Sequence, residues 1–128
     1  LTYNPVLGHI TTFGGHPVSC AAGLAAINFL QKNIKYSETE NKAMLFYSLL
    51  KDKKHVKEIR YKGLLMAIDL GDSRKLQQFI RLGIDKGFIS DWFLFCDTAF
   101  RISPPLIITE EQIREVCALI SDCLNEIS

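Results

Sequence analysis

Between Pro17 and Lys32 the chain carries no charged side chain. Pro17 suits a first helical position, where a missing N–H costs nothing, and the Ala-rich run with Leu24, Ile27 and Leu30 predicts a helix over residues 18–31. A helix uncharged over that length is expected to be buried around most of its circumference. The 128 residues amount to one domain, and a chain of that size does not easily supply such cover. The arm is therefore expected to need more protein around it. The chain opens at Leu1, without an initiator Met, in a stretch (1–15) whose Asn4-Pro5, Gly8 and Gly14-Gly15 read as loop or extended backbone. Both features fit a piece of a longer polypeptide, cut upstream of its own loop.

Composition removes several classes of function. With a formal net charge of +1, nothing favours nucleic acid or an anionic membrane surface as partner. No apolar run approaches the roughly 20 residues that span a bilayer, and no signal-peptide pattern opens the chain. Cys20, Cys96, Cys117 and Cys123 stand among apolar neighbours and never as C-x-x-C. That spacing argues against zinc and against a secreted disulfide framework, and it fits small core residues in a reducing, cytoplasmic setting. His9, His16 and His55 show no ligand spacing, so no metal site is expected.

The rest of the chain reads as an α/β layer. Ser37 and Glu40 have capping-box spacing, opening a helix with Ala43, Met44, Tyr47 and Leu50 on one face and a lysine-rich end at 51–54. Across 59–70 the period changes, and the apolar run 64–68 after Gly63 is consistent with a buried strand. Asp72 or Ser73 can cap a helix with Leu76, Phe79, Ile80 and Ile84 on its face, ending at Gly87. Phe88-Ile89, residues 92–96 and residues 100–103 are short β-rich pieces, two or three of which should pair with 59–70. Trp92 reads as core or interface. Pro104-Pro105 stops the last strand, and Thr109 with Gln112 caps a final helix, helped by an Ile108/Ile113 staple. Its stripe is Ile113, Val116, Cys117, Ile120, Cys123, Leu124 and Ile127. The expected architecture is a short, mostly antiparallel sheet with helices on one face (36–128), preceded by a loop and helical arm (1–35).

Two places carry chemistry. A Gly-Gly turn lets backbone approach an anion, and the hydroxyls of Thr11 and Thr12 beside it can add directed hydrogen bonds; spacing alone favours a plainer role, a threonine capping the Pro17 helix. Arg101 ends a strand before a rigid Pro-Pro, where a planar guanidinium can grip a carboxylate with two parallel hydrogen bonds. The plain alternative is a surface arginine paired with an acid such as Asp97.

Three blocks of residues bear on these alternatives. His9-Ile10-Thr11-Thr12-Phe13-Gly14-Gly15-His16-Pro17, leading into Val18-Ser19-Cys20-Ala21-Ala22, resembles the S/T-T-F/Y-G-G-N-P segment and small-residue helix of the class III aminotransferases, which are pyridoxal-phosphate enzymes of fold type I. Ile59-Arg60-Tyr61-Lys62-Gly63-Leu64-Leu65-Met66-Ala67-Ile68-Asp69-Leu70 is similar to the V-R-G-x-G-L-M-x-G-x-E-L segment that opens that family's small C-terminal domain. Phe100-Arg101-Ile102-Ser103-Pro104-Pro105-Leu106-Ile107-Ile108-Thr109 resembles its R-x-x-P-P-L-x-I segment. His16 departs from the usual Asn. The resemblance implies that Thr12, supported by Thr11, binds the cofactor phosphate of the partner subunit in a homodimer. It implies likewise that Arg101 binds the carboxylate of an amino-acid or 2-oxo-acid substrate.

What the resemblance implies is missing is equally specific. The family's Schiff-base lysine precedes the Thr-Phe-Gly-Gly segment by more residues than stand ahead of Thr12, and the groups that hold the cofactor ring lie further upstream, in a cofactor-binding domain. The expected role is the C-terminal part of an acetylornithine/ornithine-type aminotransferase passing an amino group from an amino acid, or another ω-amine, to 2-oxoglutarate, and inactive alone. The competing readings are a non-enzymatic dimerisation or regulatory module, and an aminomutase or decarboxylase relative. In isolation, residues 1–15 should be mobile or the uncharged helix should be covered by self-association. A monomer in sedimentation velocity with an ordered, fully exposed arm would contradict this.

Overall fold

The structure, a computed structural model, describes residues 12–128. The chain divides into two units, Leu1–Ile34 and Lys35–Ser128. In the first, a turn at 12–15 leads into α1 (Pro17–Asn33), with Pro17 in its first turn. Taken by itself α1 is a single helix, and none of its residues is buried among the described residues. Cys20 is exposed on it rather than placed in a core. The expected mobility of the opening stretch falls largely on residues outside the described ones.

The second unit runs α2 (Tyr36–Leu50), β1 (Glu58–Lys62), β2 (Leu65–Asp69), α3 (Ser73–Asp85), β3 (Trp92–Phe93), β4 (Cys96–Ile102) and α4 (Glu110–Glu126). Its four strands form one antiparallel sheet in the order β1-β2-β4-β3. Residues 59–70 are thus a hairpin rather than one strand. Lys62 pairs with Leu65, leaving the two-residue loop Gly63-Leu64, in which only Gly63 has positive φ (53°). That pattern belongs to a type II′ turn, whose twist matches the strands it joins. The apolar run is half-buried: Met66 and Ile68 are inside, whereas Leu65 is 53% exposed. Phe88-Ile89 lies outside the sheet.

The core forms where α2, α3 and α4 cover one face of the sheet. Met66, Ile68, Phe100 and Ile102 supply the sheet side, and Phe46, Leu76, Phe79, Ile113, Ile120 and Leu124 belong to the helices. Phe79 and Phe100 stack with ring centroids 4.1 Å apart. Each large aromatic so buried contributes a substantial apolar area. The stripe expected on α4 is buried as read, with Val116 only partly so. Its capping box is complete: Thr109 accepts from Gln112 N–H at 3.2 Å, and the Gln112 side chain accepts from Thr109 N–H at 3.0 Å. Asp72 caps α3, accepting from Arg74 N–H (2.8 Å) and Lys75 N–H (3.2 Å). α3 closes in a Schellman arrangement, with Phe88 N–H on Gly83 O (2.9 Å), Gly87 N–H on Ile84 O (3.1 Å), and Gly87 at φ 93°.

Three expectations for the helices are overturned. α2 begins at Tyr36 with Lys35 as N-cap and no side-chain cap. Ser37 already lies inside the helix, and Glu40 Oε1 is buried without a hydrogen-bond partner. The Tyr36 hydroxyl accepts from Lys62 Nζ at 3.3 Å, which ties the first turn of α2 to the end of β1. The buried line of α2 is Ala43, Phe46 and Leu50, while Met44 is 58% and Tyr47 39% exposed. On α3, Ile84 is 60% exposed and Gly83 is buried instead, against the Phe88 ring. Phe46→Ala should therefore cost about 3–5 kcal/mol in urea unfolding, whereas Met44→Ala should stay within about 0.5 kcal/mol.

His55, in the loop after α2, takes a left-handed backbone (φ 67°). Its Nδ1 accepts from Lys75 Nζ at 3.2 Å, so its Nε2 carries the proton and donates to Ile127 O at 3.3 Å. Burial, then the charges of Lys75 and Lys54, hold its pKa below 6.5, against the raising effect of the Ile127 carbonyl. The unfolded chain binds that proton more readily, so this contribution is present above about pH 6.5 and is lost as pH falls through the folded pKa. The urea midpoint should drop between about pH 8 and pH 5, and His55→Asn, which tolerates positive φ, should flatten that slope.

Candidate functional site

Arg101 sits one residue from the end of β4. Phe100 and Ile102 point into the core, so strand alternation turns Arg101 to the face opposite α2, α3 and α4, which is helix-free within this unit. Its register partner on β2 is Ala67, which in turn pairs with Arg60 of β1. A guanidinium here is half-exposed, with its side chain 44% accessible, and small neighbours leave it room.

The acid beside it is Asp91 rather than Asp97. Asp91 Oδ2 stands 3.8 Å from Arg101 Nη2, and the Asp91 carbonyl accepts the Arg101 backbone N–H at 2.8 Å. Ser90 Oγ donates to the Arg101 carbonyl at 2.8 Å. The Phe93 ring lies 6.0 Å from the guanidinium carbon, within cation–π range. Trp92 is 45% exposed on this strand, which excludes a core role for it. Ser90, Asp91 and Phe93 went unnoticed in the sequence because β3 meets β4 with a register shift: Trp92 pairs with Phe100 but Phe93 with Cys96.

A second charged group shares the helix-free face. Arg60 pairs with Glu58 and lies 3.6 Å from Asp69 Oδ2, with Cys96 Sγ 3.9 Å from Nη2. The Glu58 hydrogen bond, first of all, raises the Arg60 pKa. Burial works against ionisation of Asp69. Hydrogen bonds from Gly71 N–H and Thr98, together with the Arg60 charge, nonetheless hold its pKa below the usual carboxylate value. Asp69 is thus committed to Arg60. The two buried cysteines are inert thiols, Cys117 pushed up to about 12 by burial. No group of side chains suited to a metal occurs among the described residues.

A cavity of about 630 Å³ is lined by Phe46, Phe88, Phe100, Arg101, Ile108 and Val116 among others. The segment after Pro104-Pro105 that forms one wall is fastened by Lys42 of α2, whose Nζ donates to Leu106 O at 2.8 Å. The end of β4 is therefore held from both sides, by the Ser90 hydroxyl and Asp91 carbonyl and by Lys42 of α2.

In the first unit, Thr12 opens the turn before α1 and is exposed, while Thr11 lies outside the described residues. The turn closes with His16 N–H on Phe13 O at 3.2 Å, and Gly15 takes φ 76°. His16 is the N-cap of α1, yet among the described residues no side chain caps the helix, so neither Thr12 nor the His16 ring is used in that way. An exposed hydroxyl and uncapped N–H groups remain beside a glycine whose open side meets nothing within 4 Å.

The chain belongs to the class-III aminotransferases: the model of that family, "Aminotransferase class-III", matches residues 2–124. Among curated relatives, the acetylornithine aminotransferase of Caldanaerobacter subterraneus subsp. tengcongensis is 36% identical over 123 residues, covering 93% of this chain and 30% of that protein. The Methanocaldococcus jannaschii acetylornithine aminotransferase is 29% identical over 93% of this chain and 30% of its own length. Among solved structures, the acetylornithine aminotransferase of Elizabethkingia anophelis superposes with a TM-score of 0.74 at 30% identity, covering 93% of this chain and 31% of that one. The fold is that of a piece of the fold type I aminotransferases. The chain spans about 30% of the length of the curated relatives it matches.

The family depends on pyridoxal phosphate, and the residues present fit one part of that group. The uncapped turn with the Thr12 hydroxyl suits a phosphate. Nothing among the described residues suits its reactive carbonyl, which needs a lysine made nucleophilic by a lowered pKa. Hydrogen bonds to Tyr36 and Glu126 raise the pKa values of Lys62 and Lys86 respectively, the reverse of that requirement.

Proposed function

We propose that this chain is the C-terminal part of an acetylornithine- or ornithine-type aminotransferase that passes an amino group from an amino acid to 2-oxoglutarate. The carrying observation is Arg101, held at the end of β4 on the helix-free face with its guanidinium half-exposed. A planar fork so placed suits a substrate carboxylate, donating two parallel hydrogen bonds that fix the acid's orientation. The names of the relatives support the choice of amino donor. When bound, pyridoxal phosphate supplies the electron sink that makes the α-proton of the amine removable. This chain's share is binding and orientation. Arg101 places the substrate carboxylate, and Thr12, with Thr11 beside it, donates to the cofactor phosphate across the interface of a homodimer. The lysine that reacts would come from a cofactor-binding domain upstream in the sequence, so this chain alone would be inactive. The setting expected for such an enzyme is cytoplasmic.

In the complete aminotransferase, Arg101→Ala should raise KM for 2-oxoglutarate by about 10- to 100-fold, the loss of charge-assisted hydrogen bonds to one carboxylate. Thr12→Val should weaken cofactor retention in dialysis without changing that KM. Unchanged KM in Arg101→Ala would sink the carboxylate assignment. Failure of the complete protein to bind pyridoxal phosphate would favour a non-enzymatic module built on the same fold. Cofactor binding without transamination would favour an aminomutase or decarboxylase.

A further inference from the structure

We propose that Asp91 is a positioning residue for Arg101, aiming the guanidinium at the substrate carboxylate before the substrate arrives. The inference rests on the reading of Arg101 as the carboxylate-binding group. An arginine side chain has several rotatable bonds, and at half-exposure nothing in its own strand holds its tip. Residues 90–93 hold it at three points. The backbone is clamped on both sides, with Arg101 N–H on Asp91 O and Ser90 Oγ on Arg101 O, each at 2.8 Å. The tip lies between the Asp91 carboxylate at 3.8 Å and the Phe93 ring at 6.0 Å.

The geometry separates aiming from competition. Asp91 Oδ1 accepts Trp92 N–H at 2.8 Å, so its own backbone fixes the carboxylate's orientation. Only Oδ2 is turned toward Arg101, at a distance longer than a bidentate pair and toward one terminal nitrogen. A guanidinium has five N–H donors, and this contact leaves its other edge available. The other acid of the helix-free face near β2, Asp69, is engaged by Arg60 at 3.6 Å and by Gly71 N–H at 2.7 Å. Pre-orientation of this kind reduces the ordering that binding would otherwise require. Because the pair is 44% and 54% exposed, it adds little to stability, so its loss should appear in ligand binding rather than in folding.

The test uses the complete aminotransferase, with glutarate as a non-reacting dicarboxylate measured by calorimetry and 2-oxoglutarate in steady-state kinetics. Asp91→Ala should weaken glutarate binding and raise KM for 2-oxoglutarate by about tenfold, with kcat within about twofold and the melting temperature unchanged. Asp91→Asn keeps an acceptor for Trp92 N–H and should fall between Asp91→Ala and the parent. Glutarate bound as tightly or more tightly by Asp91→Ala would overturn the proposal, since tighter binding would make Asp91 a competitor. Arg101→Ala measured in parallel separates the two ideas. Weakened binding there with none in Asp91→Ala removes only the positioning role; unchanged binding in both removes the carboxylate assignment and this proposal with it.

Discussion

Phe100 buried against Phe79, with ring centroids 4.1 Å apart, decides which way β4 faces. In a strand whose side chains alternate, anchoring one residue in the core assigns every neighbour. With Phe100 and Ile102 under the helices, Arg101 must stand on the other side. A one-residue slip would bury the guanidinium in an apolar core at a cost no partner there could offset. The stability of the helical layer and the placement of Arg101 therefore rest on the same contact. The core is built from several such commitments, with Met66 and Ile68 of β2 turned inward beside Phe100 and Ile102.

The sheet then serves two purposes with its two faces. One is apolar and covered by α2, α3 and α4. The other carries charges arranged in local pairs, Arg60 with Glu58 and Asp69, and Arg101 with Asp91. The first set is closed, since Asp69 also receives Gly71 N–H and Thr98. The second is looser and shares its arginine with an aromatic ring. A guanidinium held but not saturated has donors free for a carboxylate, as the proposed function requires.

Much of this was legible in the residues. The stripe and capping box of α4, Asp72 as N-cap, Gly87 as helix stop and the placement of Arg101 before Pro104-Pro105 follow from short-range rules that act within a few residues. The errors share a cause. Ser37 and Glu40 had the spacing of a capping box, but the helix already begins at Tyr36, whose hydroxyl meets Lys62, a residue 26 positions away. Met44 and Tyr47 had helical spacing as good as that of Phe46, and only the direction of α4 and the sheet made Phe46 the buried one. Residues 59–70 showed their apolar content but not their fold into a hairpin, because a single glycine with positive φ reverses the chain.

The sequence by itself determined the class of fold and the family. Those depend on residue types and on patterns a few positions long, in which hydrophobic period, caps and turn residues act locally. Only the tertiary structure decided what surrounds Arg101. Asp91 rather than Asp97 stands beside it because β3 crosses β4 with a shifted register, and no periodicity encodes that shift. Which acid reaches a guanidinium is set by strand pairing and by the packing that anchors Phe100. Such contacts join residues whose separation along the chain says nothing about their distance in space.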